Sequence, residues 1–212
     1  MEHYAGMDIS LEEASVCVMD GDGLVLWRGT VACDGASIVA ALRFRAPSLK
    51  RVVLEAGLLS NWLWHEIRWL GVPVVCVDAR HARAVLSARV MKTDANDAES
   101  LAQLARIGWY REVRVKSEAS QWLRSLLVAR ERLVRVRRDL SNQIRSFLRH
   151  YGLRLGTITS RRFAARVRGL AAGVPALQEL VAGLLAVREA ASTELAVLDR
   201  RVNELAREYA GC

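Results

Sequence analysis

Asp94 and Asp97 stand three positions apart in the stretch Lys92-Thr93-Asp94-Ala95-Asn96-Asp97-Ala98. On a helix that spacing puts both carboxylates on one face. Thr93 is an N-cap residue by type, and Leu101, Leu104, Ala105 and Ile107 supply an apolar face behind the acids. Acids in a first helical turn are also favoured by the helix dipole alone, so the pair acquires chemistry only if other carboxylates reach it. Two candidates end apolar, strand-like runs: Asp8 in Gly6-Met7-Asp8-Ile9-Ser10, and Glu55 after Arg51-Val52-Val53-Leu54. A charge there is costly unless it is paired or metal-bound. Clustered carboxylates suit Mg²⁺ or Mn²⁺. Two such ions about 3.5–4 Å apart can stabilise the attacking and leaving oxygens of an in-line phosphoryl displacement.

The elements that must position these acids are read from periodicity. Tyr4 to Ile9, Ala14 to Met19 and Gly23 to Val31 form three consecutive strands, with Asp20-Gly21-Asp22-Gly23 as a hairpin turn. Asp34 caps a helix with Ile38, Ala41, Leu42 and Phe44 inward. Arg51–Leu54 is a buried strand, and a helix from Ser60 to Leu70 turns Leu63, Ile67 and Leu70 inward and closes at Gly71. Val72–Val77 is a fifth strand, uniformly apolar as expected for one covered on both faces. Asp78 caps a short helix through Leu86, and the helix opened by Thr93 runs to about Ile107. The order β-β-β-α-β-α-β-α predicts a mixed five-stranded sheet with helices on both faces, the α/β layout of the ribonuclease H-like (RuvC-like) fold. In it the first strand pairs in parallel with the fourth, so the ends bearing Asp8 and Glu55 adjoin, about 4.8 Å apart. Open α/β sheets bind ligands at such a break in strand order.

From Ser117 the pattern changes. Trp122, Leu126, Ala129, Leu133, Val136, Leu140, Ile144 and Phe147 form a near-heptad seam. A Gly- and Arg-rich loop and short helical region cover residues 152–173, and Pro175 suits the first turn of another helix. Leu177, Leu180, Leu184, Val187, Ala191, Leu195, Leu198, Val202 and Leu205 give a second seam. Two such helices predict a long antiparallel helical hairpin, or a coiled coil pairing between chains. The expected division is residues 1–115, carrying the acids, and residues 116–212, a basic helical coiled-coil region.

The chain has 212 residues, is 52% hydrophobic and carries a net charge of +8. That hydrophobic share excludes a disordered tail. No apolar run reaches the roughly 18 residues of a membrane span, and Met1-Glu2-His3-Tyr4 is unlike a signal peptide, so a cytoplasmic protein without a membrane partner is expected. Cys17, Cys33, Cys76 and Cys212 form no CxxC and adjoin no histidine cluster, which argues against a zinc site or a disulfide framework. Residues 111–170 carry 16 Lys/Arg against 4 Asp/Glu, whereas residues 1–110 carry 11 against 13. Positive charge concentrated on one segment points to a polyanion. Arg135, Arg137, Arg138, Arg145 and Arg149 flank the first seam as candidate phosphate contacts. Arg80, His81, Arg83 and Arg89 form a basic loop and helix near the acidic edge, and Lys92 is placed to reach a scissile phosphate. Trp62, Trp69 and Trp122 are read as core residues.

Several motifs together carry a family resemblance. They are Met7-Asp8-Ile9-Ser10, Leu54-Glu55-Ala56-Gly57 with Ser60-Asn61-Trp62-Leu63, Gly71-Val72-Pro73-Val74-Val75, and Lys92-Thr93-Asp94-Ala95-Asn96-Asp97-Ala98 with Leu101-Ala102. They continue in Gly108-Trp109-Tyr110-Arg111 and in the helix from Leu123 to Arg145. Over about residues 5–155 the chain resembles the DEDD-type insertion-sequence transposases, relatives of the Piv-type DNA invertases. The resemblance implies that Asp8, Glu55, Asp94 and Asp97 are the catalytic, Mg²⁺-binding tetrad of a RuvC-like domain that cuts and rejoins DNA. It also implies an element-encoded guide (bridge) RNA, a homo-oligomer formed through the helical region, and a bacterial, nucleoid-associated location.

Two features depart from the family pattern. Leu11 stands where a Lys often follows the Asp-x-Ser motif, removing a phosphate contact. The Pro-Gly-x-Gly motif that opens a C-terminal serine domain in the family is not reached before Cys212, so the chain is expected to be the N-terminal part of a transposase and to need that serine for complete recombination. Competing expectations are a stand-alone RuvC-like junction resolvase and a non-catalytic RNA-binding and oligomerisation module. Sugar-kinase and actin-like ATPases, which also begin with a strand-one Asp, are disfavoured because no Gly-rich phosphate loop follows.

Overall fold

A computed structural model of the chain describes residues 1–78, 80 and 93–210. It divides into two units, Met1–Lys116 and Ser117–Cys212.

The first unit is built on strands β1 (His3–Ile9), β2 (Glu13–Asp20), β3 (Val25–Ala32), β4 (Leu49–Glu55) and β5 (Val74–Val77). Their order in the sheet is β3-β2-β1-β4-β5. The β1–β2 and β2–β3 pairs are antiparallel, and the β1–β4 and β4–β5 pairs are parallel. This is the mixed ribonuclease H-like sheet that the element order predicts.

Helices α1 (Gly35–Arg45) and α2 (Ser60–Trp69) follow β3 and β4, and α3 (Asp94–Ile107) follows β5. Ile38, Leu42, Leu63 and Ile67 pack with Met7, Val16, Val18, Val52 and Leu54 on one face of the sheet. On the other face Ala98, Leu101, Ala102 and Ala105 of α3 pack on Tyr4, Cys17, Met19 and Val53. Alternation along each strand divides its side chains between the two cores.

Local chemistry fixes the boundaries. Asp34 caps α1 by accepting the Ser37 amide at 2.8 Å, which holds its carboxyl below the usual carboxylate range. The β2–β3 turn is organised by Asp20, only 4% exposed, whose Oδ1 accepts the amides of Asp22 (3.0 Å) and Leu24 (2.9 Å). Gly23 takes the left-handed conformation this turn needs, with φ 91°.

After α3 the chain crosses the sheet edge. Val77 bridges Glu112 in antiparallel fashion, the Val113 amide donates to the Cys76 carbonyl at 2.8 Å, and Val113 and Val115 pack on the first core. This segment covers the open side of β5, where unpaired backbone groups would otherwise be exposed. Lys116 is gripped by α2: its amide donates to Asn61 Oδ1 at 3.1 Å, and its carbonyl lies 2.9 Å from His65 Nε2.

The second unit contains α4 (Glu118–His150), α5 (Ser160–Ala171) and α6 (Pro175–Ala210). Arg130 bonds Asp199 and Ser141 bonds Arg188, so α4 and α6 run antiparallel as a helical hairpin. Where α5 joins them, Ile144, Leu148, Phe163, Val167, Leu177, Val181 and Leu185 make a three-helix core.

Several expected inward residues are displaced. On α6 the expected Leu177, Ala191, Leu195 and Leu205 are buried, but Val181 and Leu185 are buried in place of Leu180 and Val187, which are exposed, because α5 as well as α4 sets the covered stripe. Phe44, in the last turn of α1, is exposed beneath the Arg45 guanidinium, 4.8 Å from its ring centroid. Ile107 is exposed at the point where Gly108 turns the chain off the sheet. Trp62, Trp69 and Trp122 are all exposed, Trp69 to 86%. Each lies on the outer side of its helix, so the reading of all three as core is corrected. The expected helix from Asp78 to Leu86 lies largely outside the described residues.

Removing the Asp20 carboxylate leaves two turn amides without their acceptor. Asp20→Ala is expected to cost about 1–3 kcal/mol, and Asp20→Asn, which keeps the acceptor oxygen, clearly less. Urea denaturation followed by circular dichroism measures both, and equal losses would contradict this account of the turn.

Candidate active site

Asp8 and Glu55 are placed by one register. In the parallel β1–β4 ladder Met7 pairs with Leu54, and each acid is the next residue on its strand. Asp8 shares its strand face with Tyr4 and Gly6, and Glu55 shares its face with Val53. Tyr4 and Val53 belong to the core beneath α3. The two acids therefore lie on the α3 side, at the ends of adjacent strands about 4.8 Å apart.

The direction of α3 follows from its other end. Arg106 donates to the Gly21 carbonyl at 3.3 Å, in the hairpin beside the start of β1 where Asp20 pairs with His3. The C-terminus of α3 is therefore at the beginning of β1. Its first turn, bearing Asp94 and Asp97, lies toward the strand ends that carry Asp8 and Glu55. Thr93 caps this turn, its side chain accepting the Asn96 amide at 3.2 Å.

Gly6 brings helix and strand together. A Cβ added there would stand 2.2 Å from both the Ala98 carbonyl oxygen and the Ala102 amide nitrogen. Those backbone atoms cannot rotate away as a flexible side chain can. The seat of α3 on β1 thus exists only because residue 6 has no side chain, and it fixes Asp97, one residue before Ala98, relative to Asp8, two residues after Gly6.

Asp8, Glu55 and Asp97 are half-buried and Asp94 is exposed. Asp8 and Glu55 also engage other groups of the protein. Among the described residues, no three His, Cys, Asp or Glu side chains are gathered closely enough to hold a metal ion as they stand. The four acids share an edge and a face without forming a closed ligand set. Their chemistry, carboxylate oxygen throughout, fits a hard divalent cation.

The basic candidates are more dispersed. Arg80 is exposed, and its amide donates to Asp78 Oδ1 at 2.8 Å. Lys92, Arg83, Arg89 and His81 lie outside the described residues. In the helical unit Arg135 pairs with Glu131 and Arg138 with Asp139, exposed pairs that hold their partners weakly. Arg145 donates to the Gly156 carbonyl at 2.9 Å, Arg137 is half-buried and Arg149 is exposed. An apolar margin adjoins the strand ends: Leu11 follows β1, Trp62 stands in the first turn of α2, and Leu58, which the sequence reading did not single out, follows β4 and is 96% exposed. Leucines in turn positions directly after the strand acids were the available signal.

Comparison with known proteins gives a consistent set of relatives. The family model for DEDD transposases of the IS110 type, described as "Transposase", matches residues 5–152. The chain is 31% identical over 149 residues to the transposase for insertion sequence element IS1111A of Coxiella burnetii, covering 70% of this chain and 39% of that protein. It is 31% identical over 159 residues to a probable family 20 transposase of Pseudomonas aeruginosa, covering 74% and 45%. The chain thus spans less than half the length of these curated relatives. Among solved structures, Thermus thermophilus RuvC is similar with a TM-score of 0.39 at 15% identity, over 52% of this chain and 99% of that one. The same protein in complex with a Holliday junction substrate gives 0.33 at 17% identity, with the same coverage.

The Gly6 contact is directly testable. Gly6→Ala is expected to destabilise the first unit by about 1–3 kcal/mol or more, through overpacking against backbone. Gly169→Ala, where an added Cβ meets nothing within 4 Å, is expected to be neutral or stabilising on its helix. A Gly6→Ala protein as stable as the parent in urea would show that α3 does not rest on β1 at this point.

Proposed function

This chain belongs to the IS110-type family of DEDD transposases, and from that premise we propose that it is the RuvC-like catalytic portion of a DNA transposase. Its reaction is Mg²⁺-dependent cleavage and transfer of DNA strands. The observation that carries this reading is the Met7–Leu54 register, which sets Asp8 and Glu55 side by side on the face that α3 covers.

Asp8, Glu55, Asp94 and Asp97 are the residues that would hold the cation, which when bound stabilises the attacking and leaving oxygens at phosphorus. Asp8 and Glu55 are fixed by strands and set the position of the site. Asp94 and Asp97 come from a helix end whose place is fixed at Gly6, on the strand that carries Asp8. Lys92, directly before the helix, is suited to a non-bridging phosphate oxygen, and Arg80, Arg83 and Arg89 to the flanking backbone. Arg135, Arg138, Arg145 and Arg149 of the helical unit supply further phosphate contacts, with the salt dependence such contacts bring.

The finer parts of this reading follow from the family. DNA is the substrate, an element-encoded guide RNA selects donor and target, and copies of the chain associate through the long helices. Exposed Leu127, Val128, Leu180, Val187 and Val197 on α4 and α6 are consistent with such association. Complete recombination requires the serine nucleophile of the family's C-terminal domain. A bacterial cytoplasmic location follows from the same reading. Among the described residues no helix is long and apolar enough to cross a membrane.

Metal binding tests the site without requiring turnover. Mn²⁺ titrated into the full chain and followed by electron paramagnetic resonance is expected to bind the parent. Asp8→Asn and Glu55→Gln should each weaken that binding by at least about tenfold while leaving the circular dichroism spectrum unchanged. Equal Mn²⁺ affinity in parent and variants would sink the assignment.

A further inference from the structure

The buried stripe of α6 contains one charged residue. Leu177, Val181, Leu185, Ala191 and Leu195 are apolar, and among them Arg188 is only 4% exposed. Its Nε donates to Ser141 Oγ on α4 at 2.8 Å, and its Nη2 donates to Ser160 Oγ at the start of α5 at 3.1 Å. Its Cζ lies 4.0 Å from the centroid of the Phe163 ring. Both hydrogen-bond partners are neutral hydroxyls, and among the described residues no carboxylate bonds the guanidinium. Glu189, the adjacent acid in the chain, is engaged through both oxygens by Arg168, at 3.0 and 2.9 Å.

The surroundings add charge of the same sign. Burial first, and then Arg137 and Arg145, push the Arg188 pKa down from the ordinary arginine value, with Glu189 opposing. Arg145 stands against the same Phe163 ring, its Cζ 5.6 Å from the centroid. An arginine nevertheless stays protonated in a protein. A buried guanidinium held only by hydroxyls and an aromatic face is an arrangement that a nearby anion would favour.

The first turn of α5 is built for one. Its N-cap residue, Thr159, makes no side-chain capping bond, and the turn holds no acid, with Arg161 and Arg162 there instead. The Arg162 amide donates to the Thr159 carbonyl at 3.2 Å, and the amides that precede it at a helix start attract anions. Ser160 is exposed and accepts from the buried Arg188, which leaves its own O–H to donate outward. A hydroxyl that accepts from a cation is the stronger donor for it.

We propose that Ser160, the first turn of α5 and Arg145, with Arg188 behind them, form a site for one backbone phosphate of a bound nucleic acid. A phosphate fits because its tetrahedral oxygens can take a hydroxyl, helix amides and a guanidinium together. The excess of basic residues over 111–170 favours a polyanion over an isolated acidic side chain. The site rests on the nucleic-acid-binding reading given above and assigns Arg188 and Ser160, which that reading does not use. Arg188 is a positioning residue here: it orients and polarises Ser160 and raises the local potential.

Fluorescence anisotropy of the full chain tests it, with a labelled 30-nucleotide single-stranded RNA and a labelled 30-base-pair DNA duplex as probes. On whichever probe the parent binds, Ser160→Ala and Arg188→Met are expected to weaken binding about tenfold. Arg188→Met should also reduce the slope of log Kd against log salt by about one, and Ser160→Ala should leave it unchanged. Arg200→Met, an exposed charge loss on the same helix, should stay within about twofold. The thermal midpoint of free Arg188→Met should hold or rise, because an unpaired buried charge is gone. A lowered midpoint with unchanged binding would make Arg188 purely structural and overturn the site, as would an equal loss in Arg200→Met. If the parent binds neither probe, the nucleic-acid reading itself fails. Parent binding with unaltered Ser160→Ala and Arg188→Met fails this site alone.

Discussion

The contact between Gly6 and the backbone of α3 is the constraint on which the first unit turns. Side chains normally separate a helix from the sheet beneath it, and interlocking of those side chains then sets their relative position. Here the strand offers no side chain at the crossing point, and α3 lies with its own peptide groups against β1. Such a contact tolerates little sliding, because there is no rotamer to readjust. The small residues Ala98, Ala102 and Ala105 on the underside of α3 belong to the same solution. A helix held this closely can carry polar groups at its first turn and still deliver them to a defined place.

The strand ladder provides the second half of that precision. Side-chain direction in a sheet has a period of two, so a register slip of one residue between β1 and β4 would move one acid to the opposite face. The flanking pairs resist such a slip: Met7 and Leu54 belong to one core, and Val53 to the other. The hydrophobic pattern that holds the sheet together therefore also fixes which way Asp8 and Glu55 face. Stability and site geometry share one cause.

That shared cause explains what was legible in the sequence. The strands, their order and the pairing of β1 with β4 follow from runs of apolar residues and turn signals, and the caps at Asp34 and Thr93 from residue type. Asp8 and Glu55 stood out because charge at the end of an apolar strand is anomalous, whereas Asp94 and Asp97, in a first helical turn, acquired a role only through the family resemblance. What failed was periodicity where a helix meets two neighbours. The α6 heptad named Leu180 and Val187, but α5 draws Val181 and Leu185 inward instead. Trp62, Trp69 and Trp122 were assigned to the core by size and hydrophobicity, yet a large aromatic ring on the outer side of a helix simply remains outside. Gly6 gave no usable signal, since a glycine in a strand can equally mark a bulge. Arg188 was passed over for the converse reason: a charged residue in a helical repeat reads as surface until its neighbours are known.

The distribution of charge between the two parts of the chain then has a physical rationale under the proposed function. A phosphodiester approaching a set of carboxylates is repelled until a cation intervenes, so the carboxylates themselves do not attract nucleic acid. Residues 1–110 carry more acids than bases, whereas residues 111–170 carry 16 basic residues against 4 acidic ones. Attraction and chemistry are thus assigned to different segments. The attracting charges need only be dense and accessible, which a long helix provides at low cost in specificity. The acids must be few, oriented and held from two directions, which a sheet edge and a closely seated helix provide.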